Sequence, residues 1–509
     1  MMLFDNLVEY SKKIRETRLR NEKINIIVQF LRSLSKKDSE IGANFISGKI
    51  RQGKLNLAWK SLSVFMNTGK VSSKPVNLLD VDRYLDSAKR ARGGEKVKVL
   101  VPLFEHLSVQ AREYLVALIL NDLHQGAGEG LVKLAIAKYF GLDDSEIEQA
   151  YLQNPDLGFL FKYLVDHGKT GIRSLSIVIF RPVKPMLAEI SSSMKDLVNE
   201  FDGLSIEYKL DGIRVQVHRD ENQIKIFSRN LKDISVHFPE VVDIAKAIPV
   251  KRFILDGEAI GVDRKGRPVP FQVLGKRTMR KEDIAEMMEQ VPVIPKFFDV
   301  LYFDREDLTA KTYIERQKIL SDIITDKNYL ATKTRPINKQ DIDQFFNRSV
   351  ESGNEGIVAK FIDSPYRPGK RGKYWYKFKQ IYTIDCVVLA AEWGHGRRKG
   401  LLSNIHLGIL DETKTKYLMV GKTFKGLTDK MLVWFTQHLP ALKVHEDAWT
   451  VYVQPVIVVE IAFNEVQKSP KYDSGFALRF ARVKHIRNDK TAKQINTIMD
   501  LVKLRRCHD

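Results

Sequence analysis

The chain has 509 residues, more than one hydrophobic core ordinarily serves, so several domains are expected. Hydrophobic residues make up 44% and charged residues 29%, which excludes a disordered tail. Lys plus Arg outnumber Asp plus Glu by 83 to 63, a formal net charge of +20 that suits a polyanionic partner but also fits a basic, solvated surface.

The opening segment MMLFDNLVEYSKKIRETRLR holds no apolar run of signal-peptide length. Its Leu3, Phe4, Leu7, Val8 and Tyr10 form one face of an amphipathic helix. No apolar run in the chain is long enough to span a bilayer, so no membrane association and a cytoplasmic location are expected. Two cysteines, Cys386 and Cys507, build neither a disulfide framework nor a Cys-only zinc site. Residues 1–178 read as almost entirely helical. In LVPLFEHLSVQAREYLVALILNDL, apolar residues recur at three- and four-residue steps. The break Gln125-Gly126-Ala127-Gly128-Glu129-Gly130 then opens LVKLAIAKYFG, which ends at Gly141. Such a cluster lets a backbone approach DNA phosphates closely, but taken alone it is better read as a tight helix–helix turn.

The texture changes at Ile179-Phe180-Arg181-Pro182-Val183-Lys184-Pro185, where two prolines mark a linker. From 202 to 380, short β-rich runs such as SIEYKL, IRVQVHR, QIKIFSR and RFILDGEAIGV alternate with helices. From Tyr382, the runs DCVVLAAEWG, NIHLGILD, KYLMVGK and PVIVVEIAF surround one helical run, DKMLVWFTQHL. About five strands and one helix fit a small OB-type barrel.

The strongest local signal is Glu207-Tyr208-Lys209-Leu210-Asp211-Gly212-Ile213-Arg214, between two strand-like runs. Asp211-Gly212 marks a turn, and period two sends Glu207 and Lys209 to one face and Tyr208 to the other. A lysine so placed can be a nucleophile if burial or nearby cations favour its neutral form. A surface hairpin with solvated charges would look the same. Lys377 and Lys379 alternate with Tyr376 and Phe378, so both lysines share a face. They could bind a phosphate and help neutralise Lys209, or simply guard an edge strand.

The segment at Lys209 resembles motif I of the covalent nucleotidyltransferases: ATP-dependent DNA ligases, RNA ligases and capping enzymes. Further segments resemble the family's later motifs in the family's order. They are Phe227-Ser228-Arg229-Asn230, Asp256-Gly257-Glu258, Phe297-Phe298-Asp299-Val300-Leu301-Tyr302, Glu355-Gly356-Ile357-Val358-Ala359-Lys360, Lys373-Tyr374-Trp375-Tyr376-Lys377-Phe378-Lys379 and Ala477-Leu478-Arg479-Phe480-Ala481-Arg482. The resemblance implies Lys209 as the catalytic nucleophile, Glu207 on the adenine edge and Phe298 stacked on the base. It implies Arg214, Arg229 and Arg371 on ribose and phosphate, Lys377 and Lys379 on the α-phosphate, and Arg479 and Arg482 orienting pyrophosphate. Glu258 would contact ribose or metal, and Glu258 with Glu355 would hold Mg²⁺, for which Mn²⁺ could substitute. Each residue taken alone also has a plain reading: Phe298 as strand core, the glutamates as surface ion pairs. The last motif departs from the family pattern, with Ala481 in place of a usual proline and Lys484-His485 where an apolar residue and arginine are common.

Three features point to the DNA-ligase branch: the helical N-terminal region with its Phe180–Ala188 joint, the L-R-F-x-R form of the last motif, and too few cysteines for the zinc module of NAD-dependent ligases. The resemblance implies a multidomain α+β chain: an all-α N-terminal DNA-binding domain (1–178), an α+β adenylyltransferase domain with an ATP-grasp-like ligase core (179–380), and a C-terminal OB-fold β-barrel (381–509). The cofactor would be ATP and the partner nicked double-stranded DNA, with a sliding clamp as a candidate protein partner. A nucleoid-associated monomer in replication, repair and recombination follows. An RNA ligase or capping-type enzyme, and an inactive DNA-binding scaffold, remain the rival readings.

Overall fold

The computed structural model describes residues 1–67, 75–190, 203–279 and 284–505; Cys507 and the side chain of Lys373 lie outside the described residues. Among the described residues the first part of the chain is helical, with α-helices from Phe4–Glu16 to Leu157–His167 and one short 3-10 helix, Ser63–Asn67, between them. Phe4, Leu7 and Val8 are buried in the first of them, while Leu3 precedes it and stays exposed. LVPLFEHLSVQAREYLVALILNDL divides into Glu95–Glu105 and Val109–Leu120, because the Ser108 hydroxyl accepts from Ala111 N–H and starts a new helix. Phe4, Phe30, Phe45, Phe104 and Phe161 are fully buried in the common core. The Gln125–Gly130 break is anchored by the buried Gln125 amide, which accepts from Ser11 Oγ at 2.7 Å and donates to Ile46 O at 2.6 Å.

Two five-stranded sheets follow. The strands are β1 (Leu187–Ile190), β2 (Leu204–Lys209), β3 (Ile213–Asp220), β4 (Gln223–Ser228), β5 (Arg252–Gly261), β6 (Val293–Phe303), β7 (Glu306–Asp307), β8 (Lys333–Thr334), β9 (Gly356–Phe361) and β10 (Arg371–Lys379). One sheet has the order β1-β10-β9-β2-β8 and the other β4-β3-β5-β6-β7. Strands β2 and β3 belong to different sheets, so the turn Leu210-Asp211-Gly212 passes from one to the other.

The last part contains β11 (Tyr382–Trp393), β12 (Leu402–Leu410), β13 (Tyr417–Thr423), β14 (Lys443–Glu446), β15 (Thr450–Val453), β16 (Val458–Phe463), β17 (Glu465–Lys468), β18 (Phe476–Arg479) and β19 (Arg482–Ile486). Seven of these make one sheet in which β11 pairs with β12, β15 and β16 in turn, and β17 with β18 forms a separate hairpin. This exceeds the five strands expected. The added strands have four or five residues, and β14 is exposed throughout, so they carry almost no hydrophobic alternation. A second helix, Ile498–Leu504, also joins the expected Asp429–His438.

The proline-bearing segment before β1 is not a loose linker. Lys184 N–H donates to Leu152 O at 3.1 Å on the helical side, and Gly369 N–H donates to Lys184 O at 3.0 Å on the sheet side. Among the described residues no helix is long and apolar enough to cross a membrane.

Candidate active site

Strand β9 lies between β2 and β10, with Gly356 opposite both Lys209 and Lys379. Gly356 has φ +140°, and a Cβ there would meet Phe378 O at 2.1 Å, so no side chain fits between the two lysines. The neighbouring Glu355 fills the gap. Its Oε2 lies 2.9 Å from Lys209 Nζ and 2.7 Å from Lys379 Nζ. Backbone bonds hold it there: Glu355 N–H donates to Lys209 O at 2.9 Å and Gln380 N–H to Glu355 O at 3.1 Å. Burial opposes the charge on Glu355, but the Lys209 and Lys379 ammoniums outweigh burial and hold its carboxyl at about 2.

Tyr208 and Phe378 point the other way, into a small core with Phe345 and Ile357. Period two therefore does here what the sequence implies: one face of β2 and β10 is charged and the other apolar. Lys377 stands on the charged face with no ion pair or hydrogen bond among the described residues. Burial first, then Lys209, Arg371, Lys379 and Arg229, push its ammonium down to about 8. Arg229 and Arg371 are exposed and contribute to the same positive field.

Glu258 on β5 is opposite Arg214 on β3. Its half-buried carboxyl has no hydrogen bond or ion pair among the described residues. Burial holds it up at about 7; Lys209 and Arg214 work against this, and Glu355 and Asp256 add to it. Burial and then Glu355 also raise Asp211. Asp211, Glu258 and Glu355 thus bring three carboxyls toward Lys209 from different elements. Among the described residues no three His, Cys, Asp or Glu side chains stand close enough to hold an ion by themselves. The set fits a cation that takes one or two protein oxygens and completes its shell from phosphate and water, as Mg²⁺ does.

Glu207 is buried, with Lys360 Nζ 2.6 Å from its Oε2 and the Tyr313 hydroxyl donating to its Oε1. Each carboxylate oxygen has a second lone pair, so an amino donor can still be accepted. Lys360 lies 4.6 Å from the Phe298 ring centre and 4.3 Å from that of Trp375, which stands edge-on to Phe298. Charge and aromatic faces together make a cluster chemically suited to a flat, amino-bearing ring.

Arg214 is already engaged within the protein. Its Nε and Nη2 hold Asp256 at 3.0 and 2.7 Å, Nη1 donates to Met186 O at 2.8 Å, and Nη2 also reaches Tyr366 Oη at 3.3 Å. Four of the five N–H groups are thereby used, so Arg214 is a wall of the pocket rather than a free phosphate clamp. Its guanidinium lies 5.3 Å from the Phe298 ring centre.

Arg479 comes from the last part of the chain. It lines a cleft with Asp211, Glu355, Lys379, Gln380, Asn464, Glu465 and Phe480, and Nη1 pairs with Glu465 Oε2 at 2.9 Å. Arg482 does not join it. It stands on β19 opposite Ala462, with no side-chain hydrogen bond or ion pair among the described residues. Between the two arginines, Phe480 takes φ +57°, which turns the chain and separates their directions. The sequence reading also missed Lys360, Tyr313, Asp256 and Tyr366. Period two along β9 could have found Lys360; no local signal announces Tyr313 or Tyr366, which arrive from a helix start and a loop.

A family model described as ATP dependent DNA ligase domain matches residues 185–379, and one described as ATP dependent DNA ligase C terminal region matches residues 398–490. A relative from Sorangium cellulosum (strain So ce56), named "Probable DNA ligase", is 37% identical over 505 residues, 98% of this chain and 94% of the relative. The chain belongs to the ATP-dependent DNA ligase family. A Saccharopolyspora erythraea relative of the same name is 35% identical over 502 residues, 98% of this ligase and 97% of that protein. The solved structure titled Pmar-Lig_PreS3 covers 94% of this ligase and 99% of its own chain at 19% identity with a TM-score of 0.52, so the fold is shared.

Proposed function

We propose that this ligase seals nicks in duplex DNA through an AMP adduct on Lys209, in DNA replication, repair and recombination. The observation that carries the proposal is the row Lys209, Glu355, Lys379, with Lys377 beside it unpaired among the described residues and a carboxylate–aromatic cluster at Glu207 and Phe298. ATP's adenine would meet Glu207 and Phe298, and its α-phosphate would meet Lys377 and Lys379. Arg229 and Arg371 add positive charge at the mouth. Arg479 would orient the departing pyrophosphate, with Arg482 joining it on a movement of its domain.

Lys209 must lose a proton before Nζ attacks the α-phosphorus, forming a P–N bond as the bond to pyrophosphate breaks. Glu355, at about 2, is too weak a base to take that proton; it orients the amine. The adduct then gives AMP to a 5′-phosphate at the nick, and the 3′-hydroxyl displaces AMP to form the phosphodiester. In-line placement and charge neutralisation supply most of the rate in such transfers. Mg²⁺ or Mn²⁺, held by Glu258 and Glu355 with phosphate oxygens and waters, would neutralise the polyphosphate.

We assign residues 1–178 as a helical DNA-binding domain, 179–380 as the adenylyltransferase domain and 381–509 as the OB-fold domain. The net charge of +20 supports phosphate-based, sequence-independent binding to DNA. Incubation with labelled ATP should yield an AMP–protein adduct that discharges onto nicked duplex. An adduct formed with GTP alone, or discharged only onto RNA, would overturn the proposal.

A further inference from the structure

On one face of β3 stand Arg214, Gln216 and His218, and each meets the backbone of the segment before β1. The Arg214 bond to Met186 O is the first contact. Gln216 Oε1 accepts from Val183 N–H at 2.8 Å, and its Nε2 donates to Val183 O at 3.2 Å. Phe180 N–H donates to His218 Nδ1 at 2.9 Å. Because Nδ1 accepts, Nε2 carries the ring proton, and it lies 2.8 Å from Gln216 Oε1. Gln216 and His218 are both buried, so these bonds are not exchanged with water.

Side chains two apart on the strand thus meet backbone groups three apart on the segment. The sheet order explains why side chains do this work. β3 lies between β4 and β5, so both its edges are taken and the segment meets it across the face of the sheet, where only side chains reach. Two residues advance a strand by about 7 Å, three advance an extended proline-bearing chain by about 9 Å, and side chains of different reach absorb the difference. The residues in between face the helices. Arg181 pairs with Asp156 at 2.8 Å and stacks 4.0 Å from the Phe159 ring centre. Phe180 accepts a left-handed φ of +65°, a strain that the His218 bond helps to hold.

We propose that Gln216 and His218 are positioning residues for nick sealing: they clamp residues 180–186 to β3 and so set the helical domain against the sheet that adjoins the one carrying Lys209. Arg214 ties the same clamp to the nucleotide-pocket wall. The inference rests on residues 1–178 being the duplex-binding part.

The test uses the full-length chain and the variants His218→Leu, Gln216→Leu and His218→Asn. Self-adenylation with ATP should stay within about twofold of the parent in all three, since none touches the pocket. The KM for nicked duplex should rise about tenfold in the two leucine variants, the cost of a buried hydrogen bond left unmade. His218→Asn should restore it, because the Asn oxygen stands where Nδ1 stands and accepts from Phe180 N–H. An unchanged KM in a folded leucine variant overturns the proposal. So does adenylation falling in parallel with sealing, or an Asn variant no better than Leu. If the leucine variants do not fold, hydrogen exchange of the parent decides: amides of 180–186 exchanging as freely as an open loop overturn it, and protection matching β3 supports it. The same experiment with nicked duplex separates the two layers. Lack of protection within 1–178 refutes the duplex-binding reading, whatever the clamp does.

Discussion

The catalytic sheets meet the rest of the ligase at two junctions built from different forces. On the N-terminal side, buried backbone groups of Val183 and Met186 are bonded to side chains of β3. On the C-terminal side, Arg479 reaches toward Asp211 and Glu355 across a cleft by charge, and direct bonds among the described residues include Asn464 Nδ2 to Gln380 O at 3.2 Å and Gln272 Nε2 to Lys468 O at 3.4 Å. Buried hydrogen bonds cost their full desolvation penalty when broken, whereas charges in an open cleft exchange readily with water and ions. The first junction is therefore built to hold and the second to release. That contrast suits the proposed reaction, in which Lys209 meets ATP first and a nick afterwards.

The comparison can be broken in four ways. The largest effect is expected at the site both junctions serve. Lys209→Ala should reduce adduct formation and sealing by at least about 10³-fold while duplex binding persists, which adduct gels and a binding assay check together. Next, Arg479→Ala should slow self-adenylation by roughly 10²-fold, yet leave sealing of a nick that already carries AMP within about threefold. Equal losses in both assays would mean that the C-terminal junction does not release. A milder effect comes from salt. Between roughly 0.1 and 1 M the screening length falls from about 10 to 3 Å. Hydrogen exchange should then rise along residues 464–480 before it rises along 180–186; the reverse order would invert the comparison.

The smallest effect tests whether the C-terminal domain has stability of its own. Burial works against the charge on Glu392, but Lys422, His406 and Asn404 outweigh it and hold the carboxyl at about 2. A depressed carboxyl stabilises the fold above its ordinary value, and that contribution is lost as pH falls from about 4.5 toward about 2. Glu392→Gln should lower the Tm at pH 7, with the gap to the parent closing by pH 2. Self-adenylation at pH 7 should be unchanged. A pH-independent gap would remove the carboxylate from the explanation.

The same contrast separates what was legible in the sequence. Family membership was readable because phosphoryl-transfer chemistry puts charged residues at strand ends in a fixed order, and period two then orients them locally. That is why Lys209, Lys377 and Lys379 could be assigned to faces without coordinates. Arg214 was only partly legible for a related reason. Local pattern gives a face, but not the partner waiting there, and Asp256 and Met186 use most of its donors. The short strands β14, β15, β17, β18 and β19 were missed, unlike β16, because most of their pairing is made by backbone groups, which leave little mark on residue type.

The sequence by itself determined the family, the helix-then-strand order and the face on which each motif lysine lies, since these follow from residue type and periodicity. Only the tertiary structure decided that Glu355 would bridge Lys209 and Lys379, that Lys360 and Tyr313 would back Glu207, and that a proline-rich segment would be clamped rather than loose. Each depends on residues far apart in the chain meeting across a sheet, and no local pattern encodes a distance.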